Sequence, residues 1–327
     1  MSNIGGDAVV PAIRLEHVTK QYPGADAPAV DALDLDVPSG ELVAMVGPSG
    51  CGKTTILKMV NRLITPSSGR ILLEGVDAAT LPVHELRRGI GYVIQQVGLF
   101  PHRTIRDNIA TVPALLGWDK KRTRARVDEL CDLVGLDPSV LRRYPSALSG
   151  GQQQRVGVAR ALAADPPVLL MDEPYSAVDP VVRARLQDDL IDLQRRLQKT
   201  ILLVTHDIDE AIKLADRVAL LNVGGVLEQF GPPDELLRAP ASAFVERFLG
   251  NDRALKRLSR LTMADLTDDA LDPPTPATNG SALAAGVSLR DALDALLGSE
   301  SGQLGVLDGD GRLRGTVTVD VIGERLR

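Results

Sequence analysis

The stretch that decides the fold is Gly47-Pro48-Ser49-Gly50-Cys51-Gly52-Lys53-Thr54. Two glycines separated by four residues and followed by a lysine and a hydroxyl residue are typical of phosphate-binding loops. Glycines let successive backbone N–H groups turn toward phosphate oxygens, Lys53 adds a positive charge, and the Thr54 hydroxyl can bind Mg²⁺. A chance glycine-rich turn is the competing interpretation, and the flanking sequence argues against it.

The residues on either side of this loop predict a strand before it and a helix after it. Residues 41–46 form a nearly continuous apolar run, as expected of a strand buried in a parallel sheet. Residues 55–64 place their apolar side chains at helical spacing. A helix that begins at the loop directs the positive end of its dipole toward phosphates. The loop and its flanks therefore predict nucleotide binding.

The chain up to about residue 250 alternates predicted strands and helices, which indicates an α/β fold with a mainly parallel sheet covered by helices. Alternating polar and apolar residues near the N-terminus predict two further strands at 13–22 and 30–37, which we expect to be antiparallel. The remaining predictions are strands at 168–171 and 201–204, helices at 123–134, 153–164 and 181–197, and a hairpin formed by 218–222 and 225–229.

Two carboxylates follow the strand predicted at 168–171. Because α/β sheets bind ligands at the carboxyl ends of their strands, Asp172 and Glu173 are placed to act on a nucleotide held by the glycine-rich loop. Asp172 would hold Mg²⁺, and Glu173 would polarise the water that attacks the γ-phosphate. The alternative is that the pair only caps the turn before Pro174.

A second candidate anion site is Leu148-Ser149-Gly150-Gly151-Gln152, directly before the helix predicted at 153–164. Ser149 and the two glycines would present a hydroxyl and backbone N–H groups at a helix N-terminus. Ser149 with Gln152 three residues later also forms a capping box. The two interpretations are compatible, because a helix start that binds phosphate still needs a cap.

The composition excludes several other functions. Lys and Arg number 37 against 43 Asp and Glu, which gives a net charge of −6, and aromatic residues make up only 3%. Both features argue against nucleic acid as a partner. No apolar run approaches the ~18 residues of a membrane-spanning helix.

The two cysteines indicate a reducing compartment. We expect Cys51 and Cys131 to be buried small hydrophobes, with redox sensing at Cys51 as the alternative.

Four motifs in a fixed order resemble the ATP-binding subunits of ABC transporters. They are the Walker A loop at 47–54, the LSGGQ segment at 148–152, the Walker B strand at 168–173 and the histidine of Thr205-His206-Asp207. The resemblance covers nearly all of residues 13–250, and LSGGQ distinguishes this family from other P-loop ATPases. It implies an ABC-type nucleotide-binding domain over 1–250, a helical subdomain at about 96–165, and hydrolysis of ATP with Mg²⁺.

The resemblance also implies roles for single residues. Glu173, His206 and Gln95 correspond to the catalytic residues, as the general base, the switch histidine and the Q-loop glutamine. Thr54, Gln95 and Asp172 are implied to hold Mg²⁺. The residues implied to contact ATP are Tyr22, Gly47, Pro48, Ser49, Gly50, Cys51, Gly52, Lys53, Thr54, Thr55, Ser149, Gly150, Gly151, Gln152 and Asp179.

Three of these assignments have alternatives. Tyr22, in the position of the family's adenine-stacking aromatic, is also compatible with a half-buried aromatic of a strand. Gln96 competes with Gln95, and the choice between them rests on the family register. His206 is also compatible with an ordinary histidine at the end of a strand. Asp179 is placed in the D-loop by Ser176-Ala177-Val178-Asp179.

The family further implies a head-to-tail homodimer. Ser149 and Gly151 of one copy would close on ATP held by Lys53 of the other, so that both sites are composite. Hydrolysis then reopens the pair and drives a membrane partner. The implied partners are integral membrane permease subunits and, through them, a solute-binding protein. We therefore expect a peripheral protein at the cytoplasmic face of the cell membrane.

Two local segments resemble the ATPases of osmoprotectant importers, which take up glycine betaine, carnitine, choline or proline. They are 59–69 (MVNRLITPSSG) and 91–102 (GYVIQQVGLFPH). Leu99, Phe100 and Pro101 suit docking against a helix of a membrane partner, or else belong to the core of the helical subdomain. The alternatives are an importer of another small solute, a soluble ABC ATPase of translation or DNA repair, and a nucleotide-binding module without turnover.

The chain changes character after about residue 250. Residues 272–281 are rich in proline and threonine and predict a loop. Residues 287–327 predict a helix, two strands around the turn 308–311 and a second helix, and resemble a single CBS repeat. We therefore predict a small α+β CBS-like domain at 287–327, with 251–286 as a linker and its start. Regulation, dimer stabilisation and simple packing are its alternative roles.

Overall fold

The computed structural model describes residues 10–95, 97–176, 178–266, 271–273 and 282–326, and divides the chain into two compact units, Met1–Pro233 and Asp234–Arg327. The strands of the first unit are β1 (Ile13–Lys20), β2 (Val30–Val37), β3 (Leu42–Val46), β4 (Ser68–Leu73), β5 (Val76–Asp77), β6 (Ile90–Val93), β7 (Val168–Asp172), β8 (Thr200–Val204), β9 (Arg217–Asn222) and β10 (Val226–Gly231). Its helices are α1 (Lys53–Val60), α2 (Val83–Arg88), α3 (Ile105–Ile109), α4 (Thr111–Leu115), α5 (Lys120–Leu133), α6 (Gly150–Leu162), α7 (Pro180–Leu197) and α8 (Ile208–Leu214).

The first unit contains a six-stranded sheet in the order β10-β9-β3-β8-β7-β6 and a four-stranded sheet in the order β2-β1-β4-β5. Within the larger sheet β9, β3, β8, β7 and β6 pair in parallel, and only β10 is antiparallel. Every residue of β3, β7 and β8 is buried, as expected of parallel strands covered on both faces. The predicted α/β fold with a mainly parallel sheet and N-terminal antiparallel strands is confirmed.

The order of the parallel strands determines where the functional loops lie. Asp172 pairs with Val204, Met45 pairs with Val204, and Val93 pairs with Met171. The carboxyl ends of β3, β6, β7 and β8 therefore lie at one edge of the sheet, which is the edge where α/β proteins bind ligands. The loops that follow these four strands carry most of the predicted site residues.

Two predicted elements of the first unit end earlier in the structure. The helix after the glycine-rich loop stops at Val60, because Asn61 closes it and Arg62 takes a left-handed φ of 48°. The first strand stops at Lys20, so Tyr22 lies in the loop that follows rather than in the sheet. The sequence analysis did not identify β4 and β6, because short strands flanked by glycine show little periodicity.

The second unit begins near residue 234, earlier than the predicted boundary at 250. Its elements are α9 (Pro233–Arg238), which spans the boundary, α10 (Ala243–Leu249), α11 (Arg253–Arg260), β11 (Ala282–Leu283), α12 (Leu289–Leu297), β12 (Leu304–Leu307), β13 (Leu313–Val317) and α13 (Val319–Leu326). The predicted helix, two strands and helix are present as α12, β12, β13 and α13. Leu258 of α11, Met263 and Leu266 are buried in the same core, so this part of 251–286 packs as part of the unit. The predicted loop 272–281 lies outside the described residues except for Asp272 and Pro273.

Across the described parts of the chain, no helix has both the length and the apolar character needed to cross a bilayer.

The close packing of β6 against α6 gives a stability prediction. A Cβ atom at Gly91 would lie 2.3 Å from Leu169 Cδ2 and 2.6 Å from the Ala161 carbonyl oxygen, and the latter is backbone that cannot move aside. We expect Gly91→Ala to lower the free energy of unfolding by about 1–3 kcal/mol. Gly89→Ala is the matched control, because a Cβ there meets its nearest neighbour, the Leu86 carbonyl oxygen, at an ordinary 3.5 Å. Urea denaturation followed by circular dichroism measures both, and equal midpoints would contradict the prediction.

Candidate active site

The glycine-rich loop between β3 and α1 is held tightly against the rest of the fold. Gly47 has a φ of 155°, and a Cβ there would lie 2.1 Å from the Leu221 carbonyl oxygen. Gly52 has a φ of 100°, and a Cβ there would lie 2.6 Å from the Ala29 carbonyl oxygen. Only glycine fits such close approaches of backbone to backbone. The loop is therefore a fixed cradle of main-chain groups at the N-terminus of α1, which is the geometry that binds phosphate.

The Lys53 ammonium lies over this cradle. Its Nζ donates to the carbonyl oxygens of Gly47 at 2.7 Å and Pro48 at 3.1 Å, and lies 3.5 Å from the Cys51 sulfur. Lys53 is 7% exposed. Carbonyl oxygens offset the cost of burying this cation only in part, because they carry no full negative charge. A polyphosphate is the kind of ligand that would complete the pairing.

Thr54 and Asp172 form an oxygen pair beside the loop. The Thr54 hydroxyl donates to Asp172 Oδ1 at 3.0 Å, which joins the first turn of α1 to the end of β7. Burial raises the pKa of Asp172. A hydroxyl and a carboxylate are hard oxygen ligands, and Mg²⁺ characteristically takes one or two such protein ligands with phosphate and water completing the shell. In the described residues no three His, Cys, Asp or Glu side chains cluster as a metal site by themselves. The donor set therefore fits Mg²⁺ that arrives with a phosphate ligand.

Tyr92 is a residue of this site that the sequence analysis missed. It lies on β6, the strand that pairs with β7, and it is close enough to the Asp172 carboxylate for each group to affect the pKa of the other. Burial, followed by the proximity of Asp172, raises the pKa of Tyr92 to about 12. The tyrosine therefore remains neutral beside the carboxylate. The string Gly91-Tyr92-Val93 gives no signal for this proximity, because strand pairing alone brings β6 beside β7.

Three predicted catalytic residues meet at one carboxylate oxygen. Gln95 Nε2 donates to Glu173 Oε2 at 3.0 Å, and His206 Nδ1 lies 3.3 Å from the same oxygen. Glu173 has a φ of 44°, a conformation that non-glycine residues seldom adopt, and its N–H donates to the Val204 carbonyl at 2.9 Å. Strain of this kind persists where the surrounding structure fixes it, and it clusters at functional sites. Gln96, the alternative to Gln95, lies outside the described residues.

Tyr22 stands beside the first turn of α1. Its hydroxyl lies 3.4 Å from the Thr55 hydroxyl oxygen, and the Lys20 ammonium lies 5.3 Å from the ring centroid. The side chain is 41% exposed, and it lies beyond the end of β1. The interpretation of Tyr22 as a strand aromatic is therefore wrong, and its ring is open to stacking near the loop.

The LSGGQ segment starts α6 as a capped helix. The Ser149 hydroxyl accepts from the Gln152 N–H at 3.3 Å, and the Gln152 side chain accepts from the Ser149 N–H at 3.1 Å. The predicted capping box is thus confirmed. No neighbouring atom lies within 4 Å of a Cβ built at Gly150, whereas one at Gly151 would lie 2.7 Å from Val182 Cγ1. Gly150 therefore leaves open space before the helix N-terminus, and Gly151 allows α7 to approach.

The structure does not bring all predicted residues together. Where the chain is described, the hydrogen bonds of Ser149 and Gln152 stay within the start of α6. Asp179 caps α7 by accepting from the Val181 N–H at 3.0 Å. None of these bonds reaches the loop of Lys53, so a single chain presents two separate candidate anion-binding surfaces.

Comparison with known proteins agrees with this arrangement. Residues 30–176 match the family model described as ABC transporter. An osmoprotectant import ATP-binding protein of Salmonella typhimurium is 51% identical over 309 residues, which are 93% of this chain and 78% of the relative. A glycine betaine/carnitine/choline transport ATP-binding protein of Bacillus subtilis is 48% identical over 312 residues, 95% of this chain and 80% of the relative. The chain is an ATP-binding subunit of the ABC transporter family.

Solved structures show the same fold for the ABC subunit. The dimeric structure of MJ0796, described as a bacterial ABC transporter cassette, matches with a TM-score of 0.60 and 33% identity, covering 67% of this chain and 98% of that one. The structure of cbiO1 from Clostridium perfringens, part of an ABC transporter complex, matches with a TM-score of 0.65 and 27% identity, covering 71% and 92%. The subunit therefore has the ABC-type P-loop fold, and its enzymatic activity is hydrolysis of ATP.

Both cysteines of the ABC subunit are buried. The Cys131 sulfur lies 3.4 Å from the Leu136 carbonyl oxygen, and burial raises the pKa of this thiol, which makes the reactive thiolate scarce. Cys51 has no exposed surface and packs inside the phosphate loop. The prediction of buried small hydrophobes is confirmed, and redox sensing at Cys51 gains no support from its environment.

A buried acid lies behind the histidine loop of the ABC subunit. Glu210, on α8, is 6% exposed and accepts a hydrogen bond from the Thr205 hydroxyl at 2.7 Å. Burial raises the pKa of Glu210 from 4.5 to about 7; Asp207 raises it further, while Thr205, Arg183 and His206 lower it. The sequence analysis did not single out this residue.

This pKa predicts a pH-dependent stability. Between about pH 4.5 and 7 the unfolded chain loses the Glu210 proton while the folded chain keeps it, so the free energy of unfolding falls as pH rises. The full effect is of the order of 3 kcal/mol. We expect Glu210→Gln to flatten this slope, so that the variant gains stability relative to the wild type from pH 5 to pH 7.5.

Urea denaturation at several pH values measures this change, with Glu235→Gln, an exposed acid, as the matched control. Parallel pH profiles for wild type and Glu210→Gln would contradict it.

Proposed function

We propose that this subunit hydrolyses ATP to drive uptake of osmoprotectants such as glycine betaine, choline, carnitine or proline. The proposed hydrolysis of ATP rests on one observation, which is that Gln95 and His206 both contact the same carboxylate oxygen of Glu173. The substrate class rests on the relatives, of which several named for osmoprotectant, glycine betaine, choline or carnitine transport are 45–51% identical over most of the chain. A relative named for sulfate/thiosulfate import matches only 76% of this chain. That difference favours compatible solutes over other small solutes.

In the proposed mechanism, the loop 47–54 binds the phosphates of ATP, and Tyr22 stacks on the adenine. Lys53 turns from its carbonyl partners to the β- and γ-phosphates, which supply the negative charge that the carbonyls lack. Thr54 and Asp172 would hold Mg²⁺, with Gln95 as a further ligand, and the metal would neutralise charge that develops on the phosphates. Thr55 follows at the first turn of α1, beside the Tyr22 hydroxyl.

Glu173 is the proposed general base. Its carboxylate takes a proton from the attacking water as the oxygen of that water bonds to the γ-phosphorus. The bond from this phosphorus to the bridging oxygen of ADP breaks, which leaves ADP and inorganic phosphate. Gln95 and His206 hold the carboxylate in place, and His206 is 58% exposed at its side chain, so it can also reach the γ-phosphate.

We further propose a head-to-tail homodimer. Ser149, Gly150, Gly151 and Gln152 form an open, capped helix start that a single chain leaves unconnected to its own phosphate loop. A second copy related by two-fold symmetry places this surface over the nucleotide and makes each site composite. Asp179, at the exposed start of α7, would lie at the same interface. The similar MJ0796 cassette is described as dimeric.

The proposed partners are permease subunits, which place the chain at the cytoplasmic face of a membrane and link it to a solute-binding protein. Phe100 supports this partner choice. It is 39% exposed, although Asn108 holds its backbone by accepting from the Phe100 N–H at 2.7 Å and donating to its carbonyl at 3.2 Å. An exposed aromatic on a fixed loop five residues after Gln95 suits docking to a membrane-protein helix.

For the C-terminal unit we propose regulation or stabilisation of the dimer by its CBS-like repeat. Gly315-Thr316-Val317 lies on β13, and the backbone of Thr316 pairs with that of Asp272. Val321 stands where an acidic residue would contact a ribose, which argues against adenosine as its ligand.

Transport itself is the direct test. The subunit reconstituted with its permease and solute-binding partners should show ATP-dependent uptake of radiolabelled betaine, choline, carnitine or proline. Glu173→Gln should lower ATP hydrolysis and uptake at least about a hundredfold while ATP binding changes little, because it removes the base but not the loop. Glu235→Gln is the control. Hydrolysis by Glu173→Gln at the native rate contradicts the base, and uptake of none of the four solutes contradicts the substrate class.

The composite site is tested by mixing two inactive variants. Lys53→Ala and Ser149→Phe each impair both sites of their own homodimer, but their heterodimer keeps one site with native Lys53 and native Ser149. We expect an equal mixture to regain ATPase activity, since about half of randomly formed dimers are heterodimers.

The control joins both substitutions in one chain and mixes it with wild type, which leaves neither site of the heterodimer intact. Recovery in the first mixture with none in the second, after subtracting the wild-type homodimer, fits the composite site. Equal rates per heterodimer in the two mixtures would refute it.

A further inference from the structure

Arg183 joins the turn before α7 to the loop that carries His206. Its Nη2 donates to the Val178 carbonyl at 3.2 Å, and its backbone N–H donates to the Asp179 carbonyl at 2.7 Å. Its Nη1 lies 3.9 Å from the Asp207 carboxylate, directly after His206. One side chain thus contacts both the segment proposed to meet the second copy and the segment proposed to meet the γ-phosphate.

Thr205 and Glu210 hold the histidine loop from the other side. The Thr205 hydroxyl donates to Glu210 Oε2 at 2.7 Å and accepts from the Asp207 N–H at 3.0 Å. Asp207 in turn caps α8 by accepting from the Asp209 and Glu210 N–H groups. Thr205 is 1% exposed. The backbone on both sides of His206 is therefore fixed by buried side chains, while the His206 side chain itself is exposed.

The network is not fully satisfied. Arg183 Nε and Glu210 Oε1 are buried and have no hydrogen-bond partner among the described residues. Groups left unpaired in a buried polar network are costly, so a small shift that pairs them is favourable. The network therefore contains one donor and one acceptor that make no hydrogen bond within the described residues, and a change in the position of the segment 178–179 would allow them to form one.

We propose that Arg183, Thr205 and Glu210 are positioning residues that couple the segment 178–179 to His206, so that contact with the second copy sets the placement of the histidine at the γ-phosphate. The inference rests on the proposed role of His206 in hydrolysis. It extends that role by naming the side chains that determine where the imidazole lies. Coupling by this route requires only a small displacement, because an error of about 1 Å in a reacting group costs up to a hundredfold in rate.

The test compares variants that remove the contacts of one side chain with variants that keep them. Thr205→Val keeps the shape and removes the hydroxyl, whereas Thr205→Ser keeps the hydroxyl. Arg183→Gln removes the link to Asp207, and Arg185→Gln, an exposed arginine two residues further on α7, is its control. We expect Thr205→Val and Arg183→Gln to lower kcat about tenfold or more with KM for ATP changed less than about twofold, and the two controls to stay near wild type.

A second readout reports the histidine directly. The chain has four histidines, so the imidazole Hε1 signals of the full-length protein can be resolved by NMR and His206 assigned from His206→Ala. Thr205→Val and Arg183→Gln should shift the His206 signal by more than its linewidth and leave the other three in place. Thr205→Ser and Arg185→Gln should shift none of the four.

The two readouts separate the possible failures. If His206→Ala keeps native hydrolysis, the proposed role of His206 is wrong, whatever the NMR spectra show. If His206→Ala loses activity but the His206 signal and kcat are unchanged in Thr205→Val and Arg183→Gln, the positioning proposal is overturned. Shifts of all four histidine signals, or a loss of folding in Thr205→Ser as well, would indicate a merely structural role and also overturn it.

Discussion

Parallel pairing of β3, β8, β7 and β6 is the constraint on which the rest of the site depends. Because parallel strands all end at the same edge, the phosphate loop, the Asp172–Glu173 pair, Gln95 and His206 are brought together from four distant parts of the chain. Every residue of β3, β7 and β8 is buried, so the edge that these strands form is rigid. Short loops after these strands are therefore enough to place their side chains within a few ångströms of one another.

Charge is distributed unevenly along this edge. Lys53 is a buried cation whose contacts are two carbonyl oxygens and the Cys51 sulfur, whereas Asp172 is a buried acid that accepts a hydrogen bond from the Thr54 hydroxyl. Neither charge is neutralised by an opposite full charge in its own contacts. A ligand that carries both negative phosphate and a divalent cation would supply the opposite charge that Lys53 and Asp172 each lack. Mg²⁺ without a nucleotide would find few protein ligands here, because its remaining ligands would have to come from phosphate and water.

The residues proposed to bind and hydrolyse ATP lie on a different surface of the chain from the residues proposed to close the site. The phosphate loop and the three side chains at Glu173 belong to one surface, while the capped start of α6 belongs to another. In the proposed dimer a second copy closes the site, and the state of the nucleotide would then be communicated between the two copies. Within one chain Arg183 contacts both Val178, which precedes α7, and Asp207, which follows His206.

The sequence by itself determined the fold class, the glycine-rich loop and the candidate catalytic side chains, because these follow from local patterns: glycine spacing, an apolar strand that ends in two carboxylates, and a serine three residues before a glutamine. Tertiary structure alone decided that Tyr92 lies close to Asp172, that Tyr22 lies outside the sheet, that the second unit begins near residue 234, and that Glu210 lies buried behind His206. These features depend on which strands pair and on how deeply a side chain is covered. Strand pairing depends on residues that lie far apart in the sequence, and no local pattern records it or the depth at which a side chain is buried.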